Sequence, residues 1–503
     1  MNSRVAAVVV AGLLAATLAT TAARPLYHSD VWAHLAYGRQ VRAAGEVPAT
    51  EPLMPLCEGV PFVNFAWLAG VAGSLLYDAA GPEGLRLAGG LLVAITVGLF
   101  GVAARKRGRV AWAGILAGTA FLAIAWFQLF AFAPWVDPLG PQILRPQTIG
   151  VALFAGLTAV TPIPRRPGWR WLGLPIVFAL WTNLHGSWPI GLVWLAADWL
   201  DRAGRLRGAA WRSDRVRRGA GLIALCAAAC CLNPLGPGAF VEALTFGRHP
   251  NLEDVIEWGP LTWAMNQTWV FVVAAALTAI AALLSPRRIG WGEALLLVTF
   301  GLAACRTSRW LLWWAGPAAI SLAAHLSAFS QRPRPAAGSA ARPAHERRWW
   351  IGAWAVGLVI GTAASVPTWR IAAGQYAGAG CLAHGTPVRA TAYLREHPPA
   401  GQVFNAHAFG DFLLLAGPPN VRIFVGSHAH LTPPTVWNDA LAISRADPGW
   451  KAKLDRYDAT TLMLSVQDQR RLISEASASP RWREVYRDGT AVIFDRVQPM
   501  AGP

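Results

Sequence analysis

Charge is scarce in this chain. Only 14% of its 503 residues are Asp, Glu, Lys or Arg, against about 25% in soluble globular proteins. That shortage excludes an ordinary soluble domain. No Gly-Lys-Ser phosphate loop, dinucleotide fingerprint or heptad run occurs, which leaves ATP-driven transport without a motor in this chain. Acidic residues are the scarcer sign, 27 against 44 basic, for a net charge of +17. Such a surplus can mark a nucleic-acid binder, but here the arginines sit in short loops between apolar runs, so no nucleic acid is expected as a partner. Cysteine is limited to six. Cys226, Cys230 and Cys231 fall at helical spacing inside an apolar run and read as packing residues.

What is abundant is apolar sequence. Hydrophobic residues make up 54% of the chain, and 26 residues are Trp. Runs of about twenty apolar residues are membrane spans. Tryptophan suits the two interfacial belts, where an amphipathic ring is stable. The spans read as 5–23, 84–104, 111–132, 147–164, 168–184, 188–200, 219–232, 268–285, 290–304, 309–327 and 349–366. Half of the 44 basic residues lie at Arg4 or in alternate loops: Arg105 to Arg109, Arg165-Arg166 with Arg170, Arg202 to Arg218, Arg287-Arg288 and Arg332 to Arg348. This bias places those loops and the N-terminus inside. The expected fold is therefore a polytopic α-helical membrane protein of about 11 transmembrane helices, in the cytoplasmic membrane.

The stretch 169–200 could be one long helix or a short pair. Basic clusters on both flanks require an even number of crossings, which selects the pair. Its turn is Asn183-Leu184-His185-Gly186-Ser187-Trp188-Pro189, where Gly and Pro break the helix. The first run also fits, loosely, a cleaved signal peptide, with Arg4 before an apolar core and Thr20-Thr21-Ala22-Ala23 after it.

Two regions are not membrane. Residues 24–83 form a large outer loop within a transmembrane domain of 1–367. In it, 30–44 and 62–77 have the spacing of amphipathic helices lying along the interface. Residues 380–503 form a soluble domain, placed outside by span parity. It alternates strand (402–405), helix (411–416), strand (421–425), helix (435–444), strand (460–465), helix (469–477) and strand (491–495), which predicts a small extracytoplasmic α/β domain. Residues 328–347 read as a basic Pro/Ala-rich inner linker. Cys57 and Cys381 both fall outside, where a disulfide is open to them.

The most informative stretch follows the first span directly: Tyr27-His28-Ser29-Asp30-Val31-Trp32-Ala33-His34-Leu35-Ala36-Tyr37-Gly38-Arg39. Ionisable groups at a bilayer boundary are costly to hold there and are functional candidates by default. The same outer face carries Asp137, Arg145, Asn183, His185, Arg248, His249, Glu253, Asp254, Glu257 and Arg306. A carboxylate there can take a proton from an attacking hydroxyl or orient it. An arginine can hold a phosphate through two parallel hydrogen bonds. Such a set suits transfer of a group from a phosphate-linked donor. His428-Ala429-His430 would share a face in a strand as a metal pair, but no third ligand accompanies it.

The chain resembles a polytopic GT-C-type glycosyltransferase, and more closely an uncharacterised bacterial family of such membrane proteins. The resemblance runs through Asp30-Val31-Trp32-Ala33-His34-Leu35, Gly45-Glu46-Val47-Pro48 and Asn64-Phe65-Ala66-Trp67-Leu68. It continues in Leu144-Arg145-Pro146-Gln147, Leu180-Trp181-Thr182-Asn183-Leu184-His185-Gly186, Leu232-Asn233-Pro234-Leu235-Gly236 and Glu257-Trp258-Gly259-Pro260-Leu261. In the tail it takes in Val403-Phe404-Asn405, Gly410-Asp411-Phe412-Leu413 and Arg422-Ile423-Phe424-Val425-Gly426. It implies a polyprenyl-phosphate-linked sugar donor, transfer at the outer membrane face, and a divalent metal, Mg or Mn, in some members. Asp30 matches the acid that assists the acceptor in such enzymes. The chain departs from the pattern at Ser29, where many relatives show a second acid, and at Gly426-Ser427-His428, which replaces an Asp-Gly-Arg-like run.

The reading therefore assigns Asp30 and His34 to catalysis. It assigns Arg145, Asn183, His185, Glu257 and Arg306 to substrate binding, in one outer cavity beside membrane lipid. The competing class is a non-enzymatic transporter or envelope-assembly scaffold with a periplasmic domain. A transporter would place ionisable groups near the midplane at broken helices, and only Glu293 and the break at 183–189 hint at that.

Overall fold

A computed structural model describes residues 3–27, 30–130, 140–161, 169–205, 213–330, 344–376 and 380–497. His28, Ser29, Asp137, Arg165, Arg166 and most of the basic linker (331–343) lie outside the described residues.

The helices of the apolar part run in this order: α1 (Ser3–Ala23), α2 (Val31–Ala44), α3 (Trp67–Gly108), α4 (Trp112–Leu129), α5 (Pro146–Val160), α6 (Trp169–Leu184), α7 (Trp188–Arg205), α8 (Asp214–Ala229), α9 (Gly238–Thr245), α10 (Asn266–Leu284), α11 (Trp291–Arg306), α12 (Leu311–Ala328), α13 (Ala344–Ala364) and α14 (Val366–Ala372). Every expected span overlaps one of these helices. Five are long and apolar enough to cross a membrane: those at Arg4–Ala23, Trp67–Gly108, Trp112–Leu129, Asn266–Leu284 and Ser308–Ala328. The α13–α14 pair, bent by 63°, makes a sixth if it is one span. The pair expected between 169 and 200 is present as α6 and α7.

Packing divides the chain into two compact units. The first holds Met1–Pro25, Ala80–Ala243 and Val255–Cys381. Its helices meet through small residues, as helices in lipid do when backbones must approach closely. A Cβ on Gly357 or Gly361 would come within 2.9 Å of the α1 backbone. Gly101 of α3 and Gly114 of α4 face each other in the same way, each Cβ position 2.8 Å from the other's carbonyl oxygen.

The second unit holds Leu26–Ala79, Leu244–Asp254 and Leu382–Pro503. The first loop thus packs with the tail residues in one unit. The run of α3 is broken at Gly81, whose φ of 57° and ψ of −158° no helix tolerates. The tail elements are α15 (Val388–Glu396), β1 (Gln402–Asn405), α16 (His407–Ala416), β2 (Arg422–Ile423), α17 (Pro434–Ser444), α18 (Trp450–Arg456), β3 (Ala459–Ser465), α19 (Arg470–Ser477), β4 (Trp482–Arg487) and β5 (Ala491–Arg496). The strands form one mixed sheet in the order β2-β1-β3-β5-β4. β1 runs parallel to β2 and β3, and β5 runs antiparallel to β3 and β4. β1 has the bounds read from the sequence, whereas β4 was not foreseen; its half-exposed pattern carries no apolar run.

α2 departs from the expectation of an interfacial helix. Eight of its fourteen residues are buried, on more than one face. Gly38 makes this closeness possible, since a Cβ there would lie 2.1 Å from the carbonyl oxygen of Gly70. Cys57 and Cys381 are both buried free cysteines.

Candidate active site

In the second unit, Asp30 opens α2 and its carbonyl accepts the His34 N–H at 3.1 Å. One helical turn separates the two side chains, so they meet on one face. His34 Nε2 lies 3.8 Å from Asp30 Oδ2. Trp32, fully buried, packs edge-on to Tyr77 at 6.3 Å and to Phe412 of α16 at 5.5 Å. That packing brings in the neighbour of Phe412, Asp411.

Asp411 is buried, and its Oδ1 accepts the Ser427 N–H at 2.8 Å. Burial pushes its carboxyl up to about 7, against the pull of the Ser427 bonds and with the Asp30 charge adding to the rise. Next along the same loop, His428 sets its ring edge-to-face against His34 at 4.6 Å and against Tyr37 at 5.2 Å. Burial, with His34 beside it, pushes His428 down to about 3, so its ring is neutral at physiological pH. Tyr37 donates to Glu51 Oε1 at 2.8 Å, and Glu51 also accepts the N–H groups of Leu53 and Met54.

The backbone that carries Asp411 and His428 is fixed by Asn405 at the end of β1. Its amide donates to the carbonyls of Ala406 and Val425, and its Oδ1 accepts the Phe424 N–H. Gly410 lets the α16 backbone approach this loop, for a Cβ there would sit 2.0 Å from the Val425 carbonyl. The tail motifs Asn405, Gly410-Asp411 and Gly426-Ser427-His428 therefore converge, and they do so at Asp30 and His34. Sequence reasoning gave the tail no role at this site. The available signal was an acid set between Gly410 and Phe412 in an otherwise apolar helix.

His430 keeps its ring 5.7 Å from that of His428 and rests on Phe246, with Nε2 3.1 Å from the Val63 carbonyl. The segment is a 3₁₀ turn, Ala429–Leu431, and not a strand, so the spacing argument for a metal pair fails. Among the described residues no group of three or more His, Cys, Asp or Glu is arranged to hold a metal ion. In the same unit Asn251 donates to the carbonyls of Ala429 and Thr432, and Asp254 accepts from Trp437 Nε1, which ties the 244–254 segment to the tail.

The first unit holds the other predicted residues. Arg145 caps α5, with Pro146 at the first helical position, where a missing N–H costs nothing. Its Nη1 binds both Glu257 oxygens, at 2.6 and 2.7 Å. A second guanidinium, Arg309, stands 3.6 Å from Glu257 Oε2 and over the Trp258 ring. Ser308 fixes this arrangement by donating to the Glu257 and Gly259 carbonyls. Two cations on one carboxylate leave a net positive site. The predicted Arg306 is exposed in the last turn of α11, and it is Arg309 that stands beside Glu257.

His185 lies in the α6–α7 turn. The Ser187 N–H donates to its Nδ1 at 3.1 Å, which makes Nε2 the ring's N–H donor. Its ring stacks on Trp313, and Gly150 of α5 gives the turn room, a Cβ there lying 2.6 Å from Ser187 Oγ. Arg145 and the His185 contact thus share α5. Asn183 spends its amide on the Ala179 and Leu232 carbonyls and secures the turn.

No protein-family model matches the chain, and no curated protein matches its sequence. Solved structures do match. The arabinofuranosyltransferase AftD from Mycobacteria aligns with a TM-score of 0.52 at 16% identity, over 99% of this chain and 40% of that one. A second structure of AftD gives 0.51 at 17% identity, over 98% and 41%. The oligosaccharyltransferase AglB from Archaeoglobus fulgidus, solved with an inhibitory peptide and a dolichol-phosphate, gives 0.49 at 12% identity, over 92% and 69%. This protein has a GT-C-like membrane fold, and it spans 40% of the length of the arabinofuranosyltransferase chain it matches.

Proposed function

We propose that the protein is a membrane glycosyltransferase that transfers a sugar from a polyprenyl-phosphate-linked donor to an acceptor hydroxyl at the outer face of the cytoplasmic membrane. The observation that carries this reading is the Asp30–His34 pair on the first turn of α2, immediately after the first apolar helix, in a chain of GT-C-like fold. In this reading the eleven expected spans cross the membrane, and the first loop and the tail are extracytoplasmic.

Asp30 takes the proton of the acceptor hydroxyl as that oxygen bonds the anomeric carbon of the sugar. The bond from that carbon to the donor phosphate breaks, and polyprenyl phosphate leaves. His34 orients Asp30. Arg145 and Arg309 supply cations for the phosphate, which competes with Glu257 for them, and the Nε2–H of His185 is a further donor. The transporter reading gains no support from Glu293. That residue stands in the first turn of α11, bonded by Arg287 and Ser321 at a helix end.

The test uses the full chain in lipid nanodiscs with radiolabelled polyprenyl-phosphate sugars, arabinofuranose among them because of the AftD likeness. Asp30→Asn keeps the side-chain shape and removes the charge. It should abolish transfer while leaving expression intact, and undiminished transfer would remove Asp30 from the mechanism.

A further inference from the structure

Asp411 is a buried acid without a cation. Two other carboxylates of the tail are held by cations: Asp439 by Lys453 and Arg456, Asp455 by Arg481 and Arg496. Among the described residues no Lys, Arg or His forms an ion pair with Asp411, and its hydrogen bonds come from Ser427. The charge of Asp30 acts on it, and Tyr37 of α2 feels its charge in turn. His34 and His428 meet each other beside these groups, Glu51 accepts from Tyr37, and His407 lies one turn back on α16. The full charge that acts on it is thus another carboxylate, Asp30. Burying an unpaired carboxyl is costly. An asparagine would accept the Ser427 N–H equally well, so structure alone does not require an acid here.

We propose that the tail supplies half of the acid–base centre: Asp411 is the carboxyl partner of Asp30, and His428 is the positioning residue that holds the His34 ring against it. This rests on the glycosyltransferase reading for its chemistry. Two carboxyls that repel each other, one of them buried, do not both ionise readily, so one keeps a proton. Asp411, the more buried, keeps it, and Asp30 stays charged and competent as a base. When Asp30 takes the acceptor proton the pair carries two, and one is lost to solvent before the next turnover.

Infrared spectroscopy of the full chain in nanodiscs isolates the Asp411 carboxyl band as the difference between wild type and Asp411→Asn. With Asp411→Glu as the folded alternative, the same difference is taken against that variant. In an Asp30→Asn background the midpoint of this band should move to lower pH, because the repelling charge is gone. An unmoved midpoint overturns the pairing, whatever the activity. With labelled polyprenyl-phosphate arabinofuranose as donor, Asp411→Asn should lose roughly 10-fold or more of its transfer rate. His428→Phe, which keeps a ring of similar size, should lower kcat with the donor KM unchanged, whereas a merely structural role would move both or neither. Wild-type rates in Asp411→Asn overturn the catalytic half of the proposal. If the wild-type chain transfers nothing yet the midpoint moves, the glycosyltransferase reading fails while the carboxyl pair stands supported.

Discussion

His34 and His428 meet edge to face, with ring centroids 4.6 Å apart and ring planes at 75°. They come from segments almost four hundred residues apart in sequence, one on α2 and one on the loop that follows β2. A neutral, buried ring at 428 gives His34 a fixed wall without adding charge beside Asp30. The same loop presents Ser427 to Asp411, so one turn of backbone sets both a histidine and a carboxyl at the candidate centre.

The two buried groups make opposite pH signatures. Asp411 has its folded pKa raised to about 7 from about 3.9 in the unfolded chain, so its contribution to stability is present at low pH and lost as pH rises toward 7. His428 has its folded pKa lowered to about 3 from about 6.5, so its contribution is present above pH 6.5 and lost as pH falls. Between about pH 4 and 6.5 the two slopes oppose each other. Asp411→Asn should leave a stability that rises with pH across that window, and His428→Phe one that falls. Unfolding midpoints measured from pH 4 to 8 decide this, and slopes of one sign in both variants would show that the two groups do not titrate as described.

Asn405 offers a test of the loop that carries both groups. It is fully buried and makes three bonds, to the Ala406 and Val425 carbonyls and from the Phe424 N–H. Asn405→Ala leaves those three backbone groups unmet and should cost about 3 kcal/mol. Chemical denaturation followed by a tail-specific probe measures it, and a loss under about 1 kcal/mol would mean that water replaces the amide.

Glycine packing predicts a contrast. Gly38→Ala drives a Cβ to within 2.1 Å of the Gly70 carbonyl and should destabilise by about 1–3 kcal/mol. Gly352→Ala meets nothing within 4 Å on an exposed helical position and should be neutral or stabilise by about 0.5–1 kcal/mol. Thermal unfolding in one detergent compares them, and equal midpoints would show that the α2 contact relaxes freely.

These cases show what could be read from the residues. Apolar runs are long and local, so α1, α4 and α10 fall where they are expected. The α6–α7 break was visible because Gly186 and Pro189 act locally. Asp30 and His34 were legible because four residues separate them on a helix. Their tail neighbours were not, because Asp411 and His428 reach them only through the Asn405 loop and the Gly410 contact, and no local pattern encodes such a closure. The sequence reading names Arg306, an arginine at a span end, and Arg309 stands three residues further on. The choice depends on the turn at Thr307–Trp310, where Ser308 bonds the Glu257 and Gly259 carbonyls and so brings Arg309 beside Glu257.

That last distinction is testable at the donor side. Glu257 lies between Arg145 and Arg309, and the pair keeps one positive charge in excess. Arg306 is exposed in the last turn of α11, away from that carboxylate's bonds. A donor phosphate drawn to the site gains a charged hydrogen bond from each guanidinium it meets, worth about 1.5–3 kcal/mol. Arg309→Ala should therefore raise the donor KM roughly 10-fold or more, since each 1.4 kcal/mol is a factor of ten. Arg306→Ala should change it less than about 2-fold, as expected for an exposed charge. Glu257→Gln removes the competing carboxylate and should lower the KM, because both arginines then face the phosphate alone. Initial-rate measurements over a range of donor concentrations separate the three variants. If Arg306→Ala proves the damaging one and Arg309→Ala does not, the phosphate binds away from Glu257, and the cation assignment moves to the end of α11.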